Sequence, residues 1–476
     1  MSQGKVVSSL IYKFSERLLV KGLGLIISII LARLLSPTEF GQIALIMVFI
    51  NLSIVLIDSG LNTALVQDKN TTNEDYSTVF YISFAIASIV IVILWLCAPY
   101  IGNYYNDDAI VLPLRVYSFS LLVHTGNAVL IAKMQREMRF KQMMWCNLTV
   151  SIISGTAGVA MAYAGLGIWA LINYYFLSAL LLFILLSLVT RWHPIWFFSI
   201  TRAKTLFSYG WKMLVSGFLC SIYNDIRALI IGKVYSPADL GYYNRGQQFP
   251  DIISHTIDNA IQSVMFPVMA KEQDDMSKIR MTLRRTISMG ALIIMPLMFG
   301  LAAVAHPFIE LLLTAKWLPC VVYMQCICIG CASLPMVSSC LVAIKAIGRS
   351  DVYMKLELVR RIAMLIVLMI SVFCFNSVLA IAVGYAISSW IDFVIISLVT
   401  KRLVGYGLFE QLADIWKVVI ISLMMSCVVY ALGSLHLSNI FVLSIQIVAG
   451  VVVYGALCYV FRIEGLSILL NKIRKK

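Results

Sequence analysis

Residues 77–98, STVFYISFAIASIVIVILWLCA, contain 22 amino acids and no charged side chain. A helix of that length rises about 33 Å, which is enough to cross a hydrocarbon core of about 30 Å. Because lipid offers the backbone no hydrogen-bonding partner, such a stretch must satisfy its own amides and carbonyls as a helix. Similar stretches recur along the chain, so the sequence predicts an all-α polytopic membrane protein.

The composition excludes a soluble globular protein. Of the 476 residues, 61% are hydrophobic and 13% are charged, and the mean hydropathy is +0.91. Soluble domains are about half apolar and about a quarter charged. Fourteen spans would leave about 34 residues for each helix with its loop. No room remains for a separate catalytic domain, so we expect that the chain is not an enzyme.

We predict about 14 transmembrane helices, arranged as two six-helix lobes followed by two C-terminal helices. Residues 1–205 form the first lobe, residues 206–405 form the second, and residues 406–476 hold the last two helices and a basic tail. The predicted spans are 12–34, 41–66, 77–98, 112–132, 144–164, 168–190, 207–232, 241–270, 287–312, 320–344, 356–375, 379–400, 413–432 and 440–461.

Positive charge is distributed unevenly between the two sides of this arrangement. With the N-terminus in the cytoplasm, 24 Lys and Arg residues fall on the inner side and only Arg33, Lys233 and Lys316 on the outer side. This asymmetry satisfies the positive-inside rule and places both termini in the cytoplasm. It also accounts for most of the net charge of +14 without a nucleic-acid partner.

The chain contains an internal repeat. Residues 31–67 align without gaps on residues 231–267, at an offset of 200. Matched pairs include Pro37/Pro237, Gly41/Gly241, Asp58/Asp258 and Asn62/Gln262. Paired six-helix repeats are typical of transporters, although a membrane enzyme can also arise by duplication.

The first span carries a basic face. Lys13, Arg17 and Lys21 recur every four residues and therefore lie on one side of the helix, with Glu16 beside them. Inserting three charges at the membrane centre costs about 8 kcal/mol. That cost exceeds the favourable insertion free energy of the apolar residues in this helix. We expect a hydrated cationic cavity that binds an anion. The alternative is that Lys13 and Arg17 reach the cytoplasmic interface with their long side chains.

Further polar residues fall within the other spans. In span 8, Asp251, His255 and Asp258 share one face with two glutamines, and Asp58 lies on the corresponding face of span 2. Intramembrane ionisable residues are candidates for ion coupling or gating, and Glu16 joins this set. The alternative role for the aspartates is hydrogen bonding between helices. The remaining candidates for the cationic cavity are Arg115, Arg227 and Arg245.

Metal and nucleotide chemistry are not expected. Cys326 and Cys328 point about 200° apart on a helix, and Cys331 has no clustered histidine to complete a zinc site. The chain has no phosphate-binding loop of the Walker type, so we expect no cofactor. A proton or sodium gradient is the remaining energy source.

Several segments carry a resemblance to a known family. They are LARLLSPTEFGQIAL (31–45), LIDSGLNTALVQ (56–67), MQREMRFK (134–141), GLGIWAL (165–171), FPVMAKEQDDMSKIR (266–280), KWLPCVVYMQCICIG (316–330) and AIKAIGRSDVYMKLELV (343–359). With these segments the whole chain resembles the polysaccharide transporters of the multidrug/oligosaccharidyl-lipid/polysaccharide exporter superfamily. It is most similar to repeat-unit flippases of the colanic-acid exporter type.

The resemblance implies a V-shaped transporter in the bacterial inner membrane. Such a protein moves undecaprenyl-pyrophosphate-linked oligosaccharides to the outer leaflet by alternating access, for lipopolysaccharide, O-antigen or capsule synthesis. Its expected partners are that lipid-linked substrate, the bilayer, a polysaccharide polymerase and a chain-length regulator. The alternatives are a multidrug or cation antiporter of the same superfamily and a membrane glycan polymerase.

Overall fold

The computed structural model describes residues 3–58, 60–62, 65, 71–435, 437–461 and 463, with side chains from residue 19 onward except 205–210, 212 and 213. This described part contains 17 α-helices, two 3-10 turns and no strand. The chain divides into two compact units, residues 1–241 and 242–476. The predicted lobe boundary at residue 205 rests on the sequence repeat and stays a prediction.

The first unit contains eight helices and the first turn of a ninth. They are α1 Gln3–Leu34, α2 Pro37–Asp58, α3 Asn73–Tyr105, α4 Val111–Ser118, α5 Ser120–Arg136, α6 Phe140–Tyr163, α7 Ile168–Thr190 and α8 Ile200–Val234. Helix α6 packs against α1 and α7, and α5 packs against α7 and α3. Helix α8 packs against α2 and α3, so this long helix belongs to the first unit.

The second unit contains the rest of α9 and the last eight helices. They are α9 Pro237–Lys271, α10 Met276–Ala303, α11 Ala305–Leu313, α12 Cys320–Cys331, α13 Leu334–Ala346, α14 Ser350–Phe375, α15 Val378–Val404, α16 Leu408–Leu432 and α17 Asn439–Val460. Helix α10 packs along α16, and α15 packs against both α12 and α14. Helix α17 packs against α16.

Every predicted span coincides with a helix or with a broken pair of helices. Among the described residues, twelve segments are long and apolar enough to cross a membrane. The two remaining predicted spans correspond to α1 and α9, the helices with the polar faces described above. The predicted fold class is confirmed, and the count of fourteen membrane crossings stays a prediction.

Span 2 is broken near its end, and the described residues 61, 62 and 65 beyond the break are again helical. Helix α2 ends at Asp58, and Gly60 follows it with a φ of 68°, in the left-handed region that favours glycine. The polar residues Asp58 and Asn62 therefore flank a turn rather than continuing one straight helix.

A reciprocal glycine contact joins the two copies of the repeat within the first unit. A Cβ atom on Gly41 would lie 1.6 Å from the carbonyl oxygen of Pro237, and one on Gly241 would lie 2.1 Å from that of Pro37. Only hydrogen fits at either position. The repeat found in the sequence therefore has a matching structural contact at the first turns of α2 and α9.

Both first turns are also capped in the same way. The Ser36 hydroxyl donates to Glu39 at 2.9 Å, and the Ser236 hydroxyl donates to Asp239 at 2.6 Å. In each copy the acidic side chain also accepts the serine backbone N–H, and the serine oxygen accepts the N–H three residues later. These capping boxes satisfy amides that would otherwise lack partners at a helix start.

Candidate functional site: polar clusters within the helices

The first unit holds a small polar cluster at the end of α2. The Asn62 side-chain amide donates to Oδ1 of Asp58 at 2.9 Å. His124, on α5, places its Nε2 atom 3.6 Å from the same oxygen. That distance is too long for a hydrogen bond and lies near the upper limit for an ion pair. The cluster combines a carboxylate, an amide and an imidazole.

Two atoms of this cluster are buried without a hydrogen-bonding partner among the described residues. They are Nε2 of His124 and Oδ1 of Asn62. Buried polar atoms nearly always have a hydrogen-bonding partner in folded proteins. Two such atoms without a partner in one cluster therefore call for an explanation. His124 was not among the predicted site residues. The available signal was that it is an ionisable residue within an apolar span.

The second unit holds the repeat counterpart of Asp58. Asp258 is 4% exposed and accepts hydrogen bonds from the side chains of Gln262 and Ser338. The bond from Gln262 corresponds to the bond from Asn62 in the first copy. The further partner of Asp258 is the hydroxyl of Ser338 on α13, whereas Asp58 faces an imidazole. The two copies therefore keep the carboxylate–amide pair and differ in its third member.

Asp251 lies two turns before Asp258 on α9. Its carboxylate accepts a hydrogen bond from the Gln247 amide at 2.8 Å and faces the Cys331 thiol at 3.8 Å. His255, between the two aspartates, has an exposed side chain. The structure thus brings Asp251 and Asp258 into hydrogen-bonded networks and leaves His255 on the surface of the described part of this unit.

The predicted basic face of α1 is only partly described. Lys21 is exposed and makes no hydrogen bond or ion pair with any described residue. The side chains of Lys13, Glu16 and Arg17 lie outside the described residues, although their backbone belongs to α1. Lys21 is therefore the residue of the predicted basic face whose side chain the structure describes.

Arg115 is bound to protein groups in the first unit. Its Nε and Nη2 atoms donate to the carbonyl of Trp95 at 3.2 and 3.1 Å, and its guanidinium lies 5.3 Å from the centre of that indole ring. The Trp95 indole N–H in turn donates to the Arg115 carbonyl. This arginine ties α3 to α4, which explains the presence of a charge in an apolar span.

Arg245 and Arg227 also have interaction partners. Arg245 is 5% exposed, donates to Gln248 and lies 5.6 Å from the ring centre of the buried Trp317. Such cation–π contacts stabilise an arginine that is removed from water. Arg227 is half-buried on α8 and likewise has an interaction partner.

A third cluster lies between α14 and α15. Arg360 donates to Glu357 at 2.7 Å and to Asp392 at 3.0 Å, and Arg361 lies 3.4 Å from Glu357. Arg360 is 13% exposed and Asp392 is 16% exposed. Two basic and two acidic side chains make the cluster neutral. It holds the two helices together without a net charge inside the apolar layer.

The described residues contain no group of three His, Cys, Asp or Glu side chains that could hold a metal ion. Cys326 and Cys328 lie on one helix, and all eleven cysteines are free thiols. What the clusters offer chemically is hydrogen bonding, charge and proton exchange.

Comparison with known proteins places the chain in a family. The family described as "polysaccharide biosynthesis protein" matches residues 30–322, which is more than half of the chain. The succinoglycan biosynthesis transport protein ExoT of Rhizobium meliloti is 26% identical over 335 residues, covering 70% of this chain and 68% of the relative. The teichuronic acid biosynthesis protein TuaB of Bacillus subtilis is 25% identical over 418 residues, covering 86% and 84%.

The fold is also found among solved structures. The lipid II flippase MurJ in an inward closed conformation matches with a TM-score of 0.76 at 17% identity, covering 96% of this chain and 98% of that structure. At that identity the likeness establishes the fold. The predicted family, the predicted fold class and the prediction of a transporter rather than an enzyme are confirmed. The chain belongs to the polysaccharide biosynthesis protein family.

Proposed function

We propose that the chain is a flippase that carries undecaprenyl-pyrophosphate-linked oligosaccharide repeat units from the inner to the outer leaflet of the bacterial inner membrane by alternating access. The observation that carries the proposal is the family match together with polar clusters placed inside apolar helices. A sugar pyrophosphate cannot enter hydrocarbon unaided, because each unpaired polar group costs several kcal/mol. A path lined by polar side chains lowers that cost.

We assign the pyrophosphate contact to the basic face of α1. Lys21 supports the assignment because it is exposed and unpaired among the described residues, and Lys13 and Arg17 precede it on the same predicted helical face. Arg115 and Arg245 already bind protein groups, so their contribution to the substrate is indirect. Arg227 is the further candidate in the first unit.

The test is complementation of cells that lack their own repeat-unit flippase. The Lys21→Ala variant should lower surface glycan several-fold at equal protein level, because one cation facing the pyrophosphate is lost. Lys21→Arg keeps the charge and should restore most of it. Lys204→Ala removes an exposed basic residue at the start of α8 and serves as the matched control. Full activity of Lys21→Ala would contradict the assignment.

The same strains distinguish the alternative antiporter. A multidrug or cation antiporter would raise resistance to cationic dyes and leave surface glycan unchanged. A flippase restores glycan and leaves dye resistance unchanged. Failure of the unaltered chain to restore any glycan would overturn the proposed function.

We place both termini in the cytoplasm, with the charge asymmetry of the loops as support. In this orientation the substrate enters from the side where lipid-linked sugars are assembled. A polymerase and a chain-length regulator that receive the flipped unit are the partners expected on the outer side. The energy source is an ion gradient, since no nucleotide-binding loop is present in the sequence.

A further inference from the structure

We propose that the segment between α7 and α8 binds anionic phospholipid headgroups of the membrane leaflet on the cytoplasmic side. The segment comprises residues 191–199, RWHPIWFFS, and is named here the α7–α8 linker. It lies within the first unit and belongs to none of the polar clusters described above. The proposal names a membrane partner of the chain and does not depend on which substrate the chain carries.

The α7–α8 linker has a buried side and an exposed apolar side. Trp192 is buried, and its ring centre lies 6.4 Å from that of Tyr76 and 6.2 Å from that of Phe80. Trp196 is 95% exposed, and its neighbours are exposed as well, namely Ile195, Phe197 and Phe198. Contiguous exposed apolar side chains mark a surface that contacts a protein partner or a membrane.

Hydrogen bonds fix the α7–α8 linker on the first turns of α3. The backbone N–H of Ile195 donates to the Ser77 hydroxyl at 3.0 Å. The backbone N–H of Ser199 donates to the Thr78 hydroxyl at 3.3 Å. The outward position of the aromatic side chains is therefore held by the fold.

This attachment sets the depth of the exposed side chains. The uncharged stretch of α3 begins at Ser77, two residues after Asp75. Trp196 stacks on Tyr81 with their ring centres 6.1 Å apart, and Tyr81 lies about 6 Å beyond Ser77 along the helix. Trp196 thus lies within about one helical turn of the point where the apolar stretch begins. Tryptophan is enriched at this depth, the interface between membrane and water.

The exposed apolar surface continues onto the end of a membrane-crossing helix. Helix α7 is apolar enough to cross a membrane over its whole length, and Leu188 in its last turn is exposed. Ile200, the first residue of α8, is exposed too, whereas the apolar span of α8 begins only at Leu214. A lipid surface can cover the linker and the end of α7 together, because it already surrounds α7.

The charges at this end of α7 favour an anionic partner. Residues 138–224 contain no Asp or Glu. Arg191, at the start of the linker, has an exposed side chain. Arg139 donates to the carbonyl of Val189 at 3.0 Å, so its guanidinium lies at the same end of α7.

The acidic side chains that lie closest in the fold are already bound by arginines. Glu137 lies 3.2 Å from Arg139, and Asp75 lies 2.7 Å from Arg202. Arg191 therefore adds a positive charge that these carboxylates do not neutralise. Anionic headgroups attract basic residues at a membrane surface. The C-terminal tail of the chain is itself basic, so its charge does not favour it as the occupant.

The test uses the purified full-length chain in phosphatidylethanolamine vesicles that contain increasing fractions of brominated phosphatidylglycerol or brominated phosphatidylcholine. Bromine quenches tryptophan emission, and the difference between the unaltered protein and Trp196→Phe gives the signal of Trp196. We expect half-maximal quenching at an about fivefold lower fraction of phosphatidylglycerol, since one basic residue near an anionic surface contributes about 1 kcal/mol.

Substitutions of Arg191 test the anionic preference. Arg191→Gln should abolish it, so that both brominated lipids quench Trp196 at the same fraction, whereas Arg191→Lys keeps the charge and should keep the preference. The matched control is Lys355→Gln, which removes an exposed basic residue of α14 in the second unit and should leave the preference unchanged. Thermal unfolding verifies that each variant is folded. A full preference in Arg191→Gln would overturn the proposal.

Photo-crosslinking identifies what covers the α7–α8 linker. Trp196 is replaced by the photoreactive benzoylphenylalanine, and the protein is irradiated in vesicles with equal amounts of phosphatidylglycerol and phosphatidylcholine. Mass spectrometry should find adducts of phosphatidylglycerol in excess. Equal yields of the two adducts, or no lipid adduct, would overturn the proposal. An adduct with a peptide of this chain would also overturn it, because the C-terminal tail or a second copy would then be the occupant.

Discussion

At the scale of single residues, Asp414 shows how the last helices are attached. Its side chain is 9% exposed and accepts hydrogen bonds from Arg284 and from the Tyr406 hydroxyl, the latter at 2.7 Å. Burial, together with that hydrogen bond, raises the pKa of Tyr406 well above its usual range, so this phenol remains a donor. One turn earlier, Arg280 binds Glu410 at 2.8 Å, with both side chains about half exposed.

The two neighbouring ion pairs allow a matched prediction. Asp414→Ala should lower the free energy of unfolding by about 1–3 kcal/mol, because it leaves the buried Tyr406 hydroxyl without a partner. Glu410→Gln removes the charge of an exposed pair on the same helix but keeps an acceptor for the Gly407 backbone N–H, and should cost less than about 1 kcal/mol. Chemical unfolding in detergent measures both. If both variants lost the same free energy of unfolding, burial of the ion pair would not determine its contribution to stability.

The neutral cluster of α14 and α15 gives a second prediction at this scale. Asp392→Leu alone should cost about 3 kcal/mol or more, because it leaves Arg360 with a single acidic partner inside the apolar layer. The double variant Arg360→Met with Asp392→Leu should recover most of that loss, since Glu357 keeps Arg361 as its partner. Thermal unfolding of the unaltered protein, the single variant and the double variant measures both the loss and the recovery. A double variant less stable than the single one would contradict the interpretation.

At the scale of helices, contacts between first turns set how closely two elements approach. Gly41 and Gly241 each lie against a backbone carbonyl of the other copy, where a methyl group has no space. Backbone atoms cannot rotate aside as a flexible side chain can. The helix starts must therefore separate if either glycine is enlarged.

The corresponding prediction compares three glycine variants. Gly41→Ala and Gly241→Ala should each destabilise the protein by about 1–3 kcal/mol or more, in the range found for overpacked sites. Gly455, on α17, has no neighbouring atom within 4 Å of an added Cβ. Gly455→Ala should therefore be neutral or stabilise by up to about 1 kcal/mol through helix propensity. Melting temperatures measure the three, and tolerance of alanine at residue 41 would contradict the close approach.

Helix breaks show what the sequence can predict at this scale. The predicted spans 112–132, 287–312 and 320–344 are each broken, at Phe119, Val304 and Ala332. Prolines 307 and 335 follow two of these breaks at helix starts, where proline is favoured. No such residue accompanies Phe119, and that break is set by packing that a single sequence does not contain.

At the scale of the whole molecule, the helices were predictable and the clusters were not. Apolar runs and the cost of unpaired backbone in lipid determine where helices form, and these are local properties. The Asp58–His124 contact joins residues 66 positions apart in the chain, so no spacing rule finds it. For the same reason, the sequence did not reveal that Arg115 donates to the Trp95 carbonyl, and its place in a cationic cavity stays a prediction.

Orientation is a property of the whole chain and gives a further prediction. A phosphatase reporter joined after Asp108 should be active, because that loop faces outward in the proposed orientation. A reporter joined after Lys204 should be inactive, and a fluorescent protein at the C-terminus should be bright. The basic residues of the loops produce this pattern. An active reporter after Lys204 would show that the loops have the opposite orientation to the one proposed.

The reciprocal glycine contact has a consequence for how such a chain can change over generations. Each copy supplies both a glycine and the carbonyl that the opposite glycine meets. A larger residue at either glycine would therefore clash with the backbone of the other copy, so the two copies cannot change independently at this contact. We expect related chains to keep residues 41 and 241 small, or to change them together with the backbone positions that they contact. The sequence similarity between the two copies should therefore persist at this contact after other matched positions have diverged.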